Sequence, residues 1–141
     1  MQDSPEPQAA PFVSSLMRVE PGWIDYNGHL NMAYYNVLFD RAVDEVYELL
    51  GCGLNYVRTR RQSWFTAEAH VRYLRELHAG EGWLSATSEN MSLHVDMERK
   101  RTAPLPDGLA SALAHMKAMH ARLPRPQAVG RRIAMGQAAA Q

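Results

Sequence analysis

The sequence predicts an α+β domain. Three observations carry this. Apolar residues recur every three or four positions from Tyr35 to Leu50. They alternate every second position from Met91 to Met97. Proline pairs at Pro21-Gly22 and Pro104–Pro106 punctuate the chain between such segments.

Along the chain, residues 1–11 hold three prolines and little to bury, and read as a disordered arm. Residues 12–20, "FVSSLMRVE", read as a strand that stops at the Pro-Gly turn. From Asn31 the period changes. Tyr35, Leu38, Phe39, Ala42, Val43, Val46, Leu49 and Leu50 form one stripe, and Asp40, Arg41, Asp44, Glu45 and Glu48 fill the other face. This is an amphipathic helix of about five turns. Asn31 is placed to cap its start, and Gly51 to close its end in the left-handed conformation.

Residues 62–77 are ambiguous: Trp64, Thr66, Val71 and Tyr73 suit a strand, while the Ala-Glu-Ala and Leu-Arg-Glu-Leu pieces suit a helix. "HAGEG" at 78–82 reads as a turn. Residues 83–97 end in a half-buried strand, with Met91, Leu93, Val95 and Met97 inward and Ser92, His94 and Asp96 outward. Residues 107–123 make a short helix with Leu109, Leu113, Met116, Met119, His120 and Leu123 on one side. Its methionines, with Met135 further on, read as core filler rather than a soft-metal site. The tail 124–141 reads as loose, so the expected single domain is 12–123.

Composition excludes several classes. The 141 residues fit one domain, and the formal net charge is zero, so nothing draws the chain to nucleic acid or an anionic membrane. The basic clusters "RTRR" at 58–61 and "ERKR" at 98–101 read as solvated turns. The single cysteine, Cys52, has no partner for an internal disulfide and suits a reducing compartment; it reads as a packed thiol. No stretch approaches about 18 apolar residues, and the first residues lack a signal pattern. A cytoplasmic location is therefore expected.

The chemistry concentrates in "WIDYNGHLNMAYY", Trp23 to Tyr35. Asp25 sits just ahead of a long helix, whose first turn offers unpaired N–H groups and partial positive charge. Such an end can polarise a carbonyl and stabilise an oxyanion. A carboxylate held opposite could attack that carbonyl or activate water. The spacing thus permits acyl transfer. Asp25, Asn27 and Asn31 are equally good turn and cap residues, so "DYNGH" also reads as a plain turn.

The segments "DYNGHLNMAYYNVLFDRAVDE", "FTAEAHVRYLREL" and "GWLSATSENMSLHVDM" resemble the hotdog-fold acyl-CoA thioesterases of the 4-hydroxybenzoyl-CoA thioesterase type. Within that superfamily the resemblance is strongest to betainyl-CoA thioesterases of carnitine breakdown, which also occur fused to carnitine dehydrogenase. It covers about residues 16 to 133 and rests on an Asp-x-x-Gly-His-x-Asn block from Asp25 to Asn31. It implies a long central helix packed on a curved antiparallel sheet, and a homodimer or homotetramer with active sites between subunits. It implies Asp25 as nucleophile or general base, with His29, Asn31 and the second carboxylate Glu68 in supporting roles. A backbone N–H around Asn31 and Met32 would hold the thioester carbonyl, and Gly28 and Met32 would contribute to substrate binding. Trp23, Tyr26, Tyr34, Tyr35 and Trp64 are the aromatics available to a quaternary ammonium. No metal or dissociable cofactor is implied, since CoA arrives with the substrate.

One departure stands out. Family members carry two further strands where only "HAGE" joins the flanks near Gly80-Glu81; roughly 25 residues are absent, the size of a β-hairpin. The fold is then a hotdog trimmed by two strands. The chain is expected to be an acyl-CoA hydrolase, or else a hotdog module that binds acyl-CoA or oligomerises without catalysis. The hotdog dehydratases use a different His-bearing motif that this sequence lacks.

Overall fold

The computed structural model describes residues 10–76, 85–127 and 129–130. The turn expected at 78–82, the short junction at Gly80-Glu81, Met135 and most of the two termini lie outside them.

Helix α1 runs Met32–Leu49, as the apolar stripe requires. The Asn31 side chain accepts the Ala33 N–H at 3.0 Å, and Gly51 follows the helix at φ 72°. A second helix, α2, spans Leu54–Arg60. It corrects the reading of "RTRR" as a turn: only Arg61 leaves the helix, at φ 54°. Seven residues are too few to display a helical stripe, so no periodic signal marks it. Its first turn is held from α1, because the Glu48 carboxylate accepts the Leu54 N–H at 2.7 Å. Gly53 makes room for that carboxylate; a Cβ there would lie 2.2 Å from Glu48 Cδ.

The ambiguous segment is strand β1, Gln62–Tyr73. It pairs antiparallel with β2, Ala86–Asp96, from Gln62↔Asp96 to Tyr73↔Ala86. The register slips between Thr66 and Glu68. This bulge exchanges the faces of β1: Trp64 and Thr66 lie beside His94 and Ser92 before it, and Ala69, Val71 and Tyr73 take that side after it. A two-residue strand β3, Arg101–Thr102, pairs with the end of β2. The turn between them is held by Asp96 Oδ1, which accepts the N–H groups of Glu98 and Arg99. Helix α3, Asp107–His120, buries Leu109 and ends three residues before the expected 123.

Two expectations are overturned. Residues 12–20 form no strand. No ladder partner reaches them among the described residues, and side chains tie them down instead. The Phe12 N–H donates to His120 Nε2 at 3.0 Å, and Ser15 donates to the Glu45 carboxylate through its N–H at 2.8 Å and through its hydroxyl. The third strand is therefore β3.

The alternation in β2 is real, but its inward face was misassigned. His94 is 6% exposed, whereas Met91 and Leu93 are 51% and 40% exposed. The helix-facing side holds Trp64 stacked on Tyr47, with His94 beside it. Both ring nitrogens of His94 are engaged, with Tyr56 Oη at 2.9 Å and Ala103 O at 3.0 Å. A buried polar group is tolerated when it is bonded in this way. Val95, on the other side, is buried as expected.

The core cluster of Trp23, Leu30 and Tyr35 lies at the N-terminal end of α1, with Val19, Val37, Leu38, Phe39 and Ala86 packed around it. That end carries the candidate site. Among the described residues no helix is long and apolar enough to cross a membrane.

Candidate active site

The Asp25 loop is a tight reversal. Ile24 bridges Leu30, the Asp25 N–H donates to His29 O at 2.9 Å, and the Gly28 N–H donates to Asp25 O at 2.9 Å. Gly28 sits at φ 81°, a conformation that favours glycine. Asp25 Oδ1 accepts the Asn27 N–H at 2.8 Å, an Asx turn. Among the described residues this is the one hydrogen bond seen to the carboxylate. The turn reading holds, and the turn fixes the position of the carboxylate.

Asp25 lines a cavity of about 520 Å³ at the start of α1. His29, Asn31, Met32 and Tyr35 share its near wall, and Tyr73, Leu74, Arg75 and Glu76 form the far one. Polar and ring contacts join the walls. His29 Nε2 lies 3.1 Å from Glu76 Oε2, and the Tyr73 hydroxyl donates to Met32 O at 3.3 Å. The rings of Tyr35 and Tyr73 meet edge to face, 5.2 Å apart at 72°.

The backbone distinguishes Asn31 from Met32 at the start of α1. The Asn31 N–H donates to Trp23 O at 2.9 Å and is spent. The Asn31 side chain takes the Ala33 N–H. No acceptor among the described residues meets the N–H of Met32, the first residue of α1 at its positive end, and Met32 lines the same cavity as Asp25.

The structure brings Asp25, His29, Asn31, Met32, Tyr26 and Tyr35 to one cavity. Gly28 shapes the loop next to it. Trp23 is buried between Tyr34, stacked at 5.1 Å, and the Arg41 guanidinium, 5.2 Å from its ring centre, so both Trp23 and Tyr34 serve the core. Trp64 stacks on Tyr47 near the other end of α1, and Glu68 is exposed at the bulge; neither lines the cavity. Cys52 is buried, and burial pushes its thiol pKa up, which keeps it protonated and inert. Sequence reasoning missed Tyr73, Arg75 and Glu76. They lie more than 40 residues from Asp25 in the chain, and only strand pairing carries them to it.

Comparison with known proteins bears on the family and the fold. Residues 19–84 match the family model of the thioesterase-like superfamily. The L-carnitine dehydrogenase/betainyl-CoA thioesterase of Ruegeria pomeroyi is 34% identical over 145 residues, covering 84% of this chain but 29% of that protein. The chain therefore spans under a third of the length of such fused relatives. The betainyl-CoA thioesterase of Pseudomonas aeruginosa is 31% identical over 144 residues, covering 83% of this chain and 91% of that protein. Each alignment is longer than the share of this chain that enters it, by about 27 positions. That agrees with a missing segment of hairpin size. A candidate thioesterase of Pseudomonas putida KT2440 superposes with a TM-score of 0.65 at 29% identity, covering 83% of this chain and 92% of that one. A hypothetical protein of Staphylococcus aureus, solved in complex with CoA, shares the fold at a TM-score of 0.76 and 23% identity, over 84% and 92% of the two chains. With a long helix packed on an antiparallel sheet, the chain belongs to the thioesterase-like superfamily and has its hotdog fold.

Proposed function

We propose that this chain hydrolyses a short acyl-CoA, with betainyl-CoA the favoured acyl donor, and that Asp25 is its catalytic carboxylate. The observation that carries the reading is the meeting of Asp25 and the unspent Met32 N–H in one cavity. The thioester carbonyl oxygen accepts the Met32 N–H, and the helix N-terminus stabilises the negative charge that grows there. Asp25 then acts by one of two routes. As nucleophile it attacks the carbonyl carbon, the C–S bond breaks, CoA leaves as thiolate, and water hydrolyses the acyl anhydride. As general base it takes a proton from the water that attacks. Both routes yield the free acid and CoA.

The supporting residues follow from the geometry. His29 holds the loop through Glu76, and Asn31 caps α1 so that its first turn stays in place. The choice of betainyl-CoA draws support from the names of the Pseudomonas aeruginosa and Ruegeria pomeroyi relatives. Assembly into a homodimer or homotetramer belongs to the same reading, because the sheet leaves apolar side chains on its outer face.

A second reading, a hotdog module that binds acyl-CoA without hydrolysing it, is favoured by the alignment gap of about 27 positions. One experiment separates the two. The intact chain is offered betainyl-, acetyl- and aromatic acyl-CoAs, and freed CoA is measured with a thiol reagent. Release from betainyl-CoA above the others supports the hydrolase; binding with no release from any of them supports the module.

A further inference from the structure

We propose that Glu76, with the rings of Tyr35 and Tyr73, forms the acyl-end subsite and selects thioesters whose acyl group carries a fixed positive charge. The inference rests on hydrolysis at Asp25 and goes further, by naming the side chains that choose the substrate.

The cavity has the chemistry for a diffuse cation. Its lining includes two carboxylates, Asp25 and Glu76, against one guanidinium, Arg75. The Tyr35 and Tyr73 rings stand nearly at right angles and form a corner. Both are positioned before any ligand arrives: Tyr35 is buried in the core cluster, and Tyr73 is pinned by its hydroxyl to Met32 O. Tyr26 lines the same cavity but is 98% exposed, whereas two large aromatics among the described residues are engaged elsewhere. The Trp23 ring already carries the Arg41 guanidinium, and Trp64 is covered by Tyr47. A quaternary ammonium is weakly hydrated and is attracted to aromatic rings and to a nearby carboxylate. An anionic acyl end would meet Asp25 and Glu76 and be repelled.

Glu76 suits a selecting role better than a catalytic one. It lies across the cavity from Asp25, and its side chain is 63% exposed, at the mouth. At that exposure its field is screened by salt, so the selectivity it supplies must fall as ionic strength rises.

The test uses two non-hydrolysable CoA thioethers of equal shape, one ending in a trimethylammonium group and the other in a tert-butyl group. Their dissociation constants are measured on the intact chain. The charged thioether is expected to bind at least about 10-fold more tightly, with a preference that shrinks in high salt. Glu76→Gln keeps an oxygen toward His29 and removes only the charge. It should cut the preference to below about 3-fold and leave the neutral thioether within about twofold of wild type, and Tyr73→Leu should also erode the preference. Equal wild-type affinities overturn the inference. So does a Glu76→Gln variant that weakens both thioethers alike, because Glu76 would then act only through His29 on the loop. CoA release is assayed in parallel. Hydrolysis without charge preference removes this inference alone, whereas charge preference without hydrolysis removes the catalytic reading alone.

Discussion

At the scale of single residues, the tight loop from Ile24 to Leu30 carries the proposed chemistry. Its backbone bonds fix the Asp25 position, and the Asn27 N–H fixes one carboxylate oxygen. Asp25→Asn preserves that acceptor and removes the charge. It should leave the circular dichroism spectrum and Tm unchanged and lower CoA release by at least about 100-fold. A variant that hydrolyses its best substrate within a few-fold of wild type reduces Asp25 to a turn residue. Asn31→Ala removes the cap of α1 and should cost about 1 kcal/mol in denaturant unfolding. Because the cap also sets the helix turn that carries the Met32 N–H, kcat should fall with it. An unchanged midpoint and an unchanged kcat would place the helix start under other control.

At the scale of elements, two attachments replace what regular structure does not supply. The first is His94, which joins α2 to the segment after β3 through Tyr56 and Ala103. His94→Leu fills similar space and removes the His94 partner of the Ala103 carbonyl and of the part-buried Tyr56 hydroxyl, which keeps Gln62. It should destabilise the chain by about 1–3 kcal/mol. A variant as stable as wild type would mean that both groups find other partners. The second is the docking of residues 12–20 on α1. Hydrogen bonds from the Ser15 hydroxyl and N–H hold the Glu45 carboxyl below its ordinary value of 4.5. A carboxylate depressed in the folded state stabilises above its unfolded pKa, and that stability is lost as pH falls through the folded value. The Ser15 amide should therefore be protected at neutral pH and lose its protection factor as acid drops below about pH 4.5. Glu45→Ala should remove the protection at neutral pH. Protection that persists in acid, or in the variant, would show that the segment is held by packing alone.

At the scale of the whole molecule, apolar surface outruns what one chain can cover. Val13 and Leu16 on the unpaired N-terminal segment are 79% and 96% exposed, and Phe65, Met91 and Leu93 share the uncovered face of the sheet. A cavity of about 610 Å³ opens beside Phe65 and Val95. Among the described residues, β1 has a sheet neighbour on one side only. Open edges and apolar faces favour pairing with another chain. The chain should therefore be oligomeric, and its Tm should rise with protein concentration, as mass action requires. A monomer by light scattering, with a Tm constant over a hundredfold dilution, would remove the subunit interface from the account of the active site.

The sequence by itself determined what local physics controls. Helix α1 from Asn31 to Gly51 was legible because eighteen residues display their apolar stripe several times over, with a cap at one end and a glycine at the other. The Asp25 turn was legible for the same reason: Asp, Asn and Gly act within a few bonds of themselves. Helix α2 was too short to show a period. Residues 62–73 were ambiguous because a strand is settled by its neighbour, not by its own residues. The inward face of β2 was misassigned because hydropathy ranks Leu93 above His94, while the structure offers His94 two partners and Trp64 to lie against. The far wall of the cavity, with Tyr73 and Glu76, was hidden from the sequence altogether. Only the β1–β2 pairing and the packing of Tyr73 on the first turn of α1 carry it to Asp25, because that proximity is a property of the folded backbone rather than of either segment.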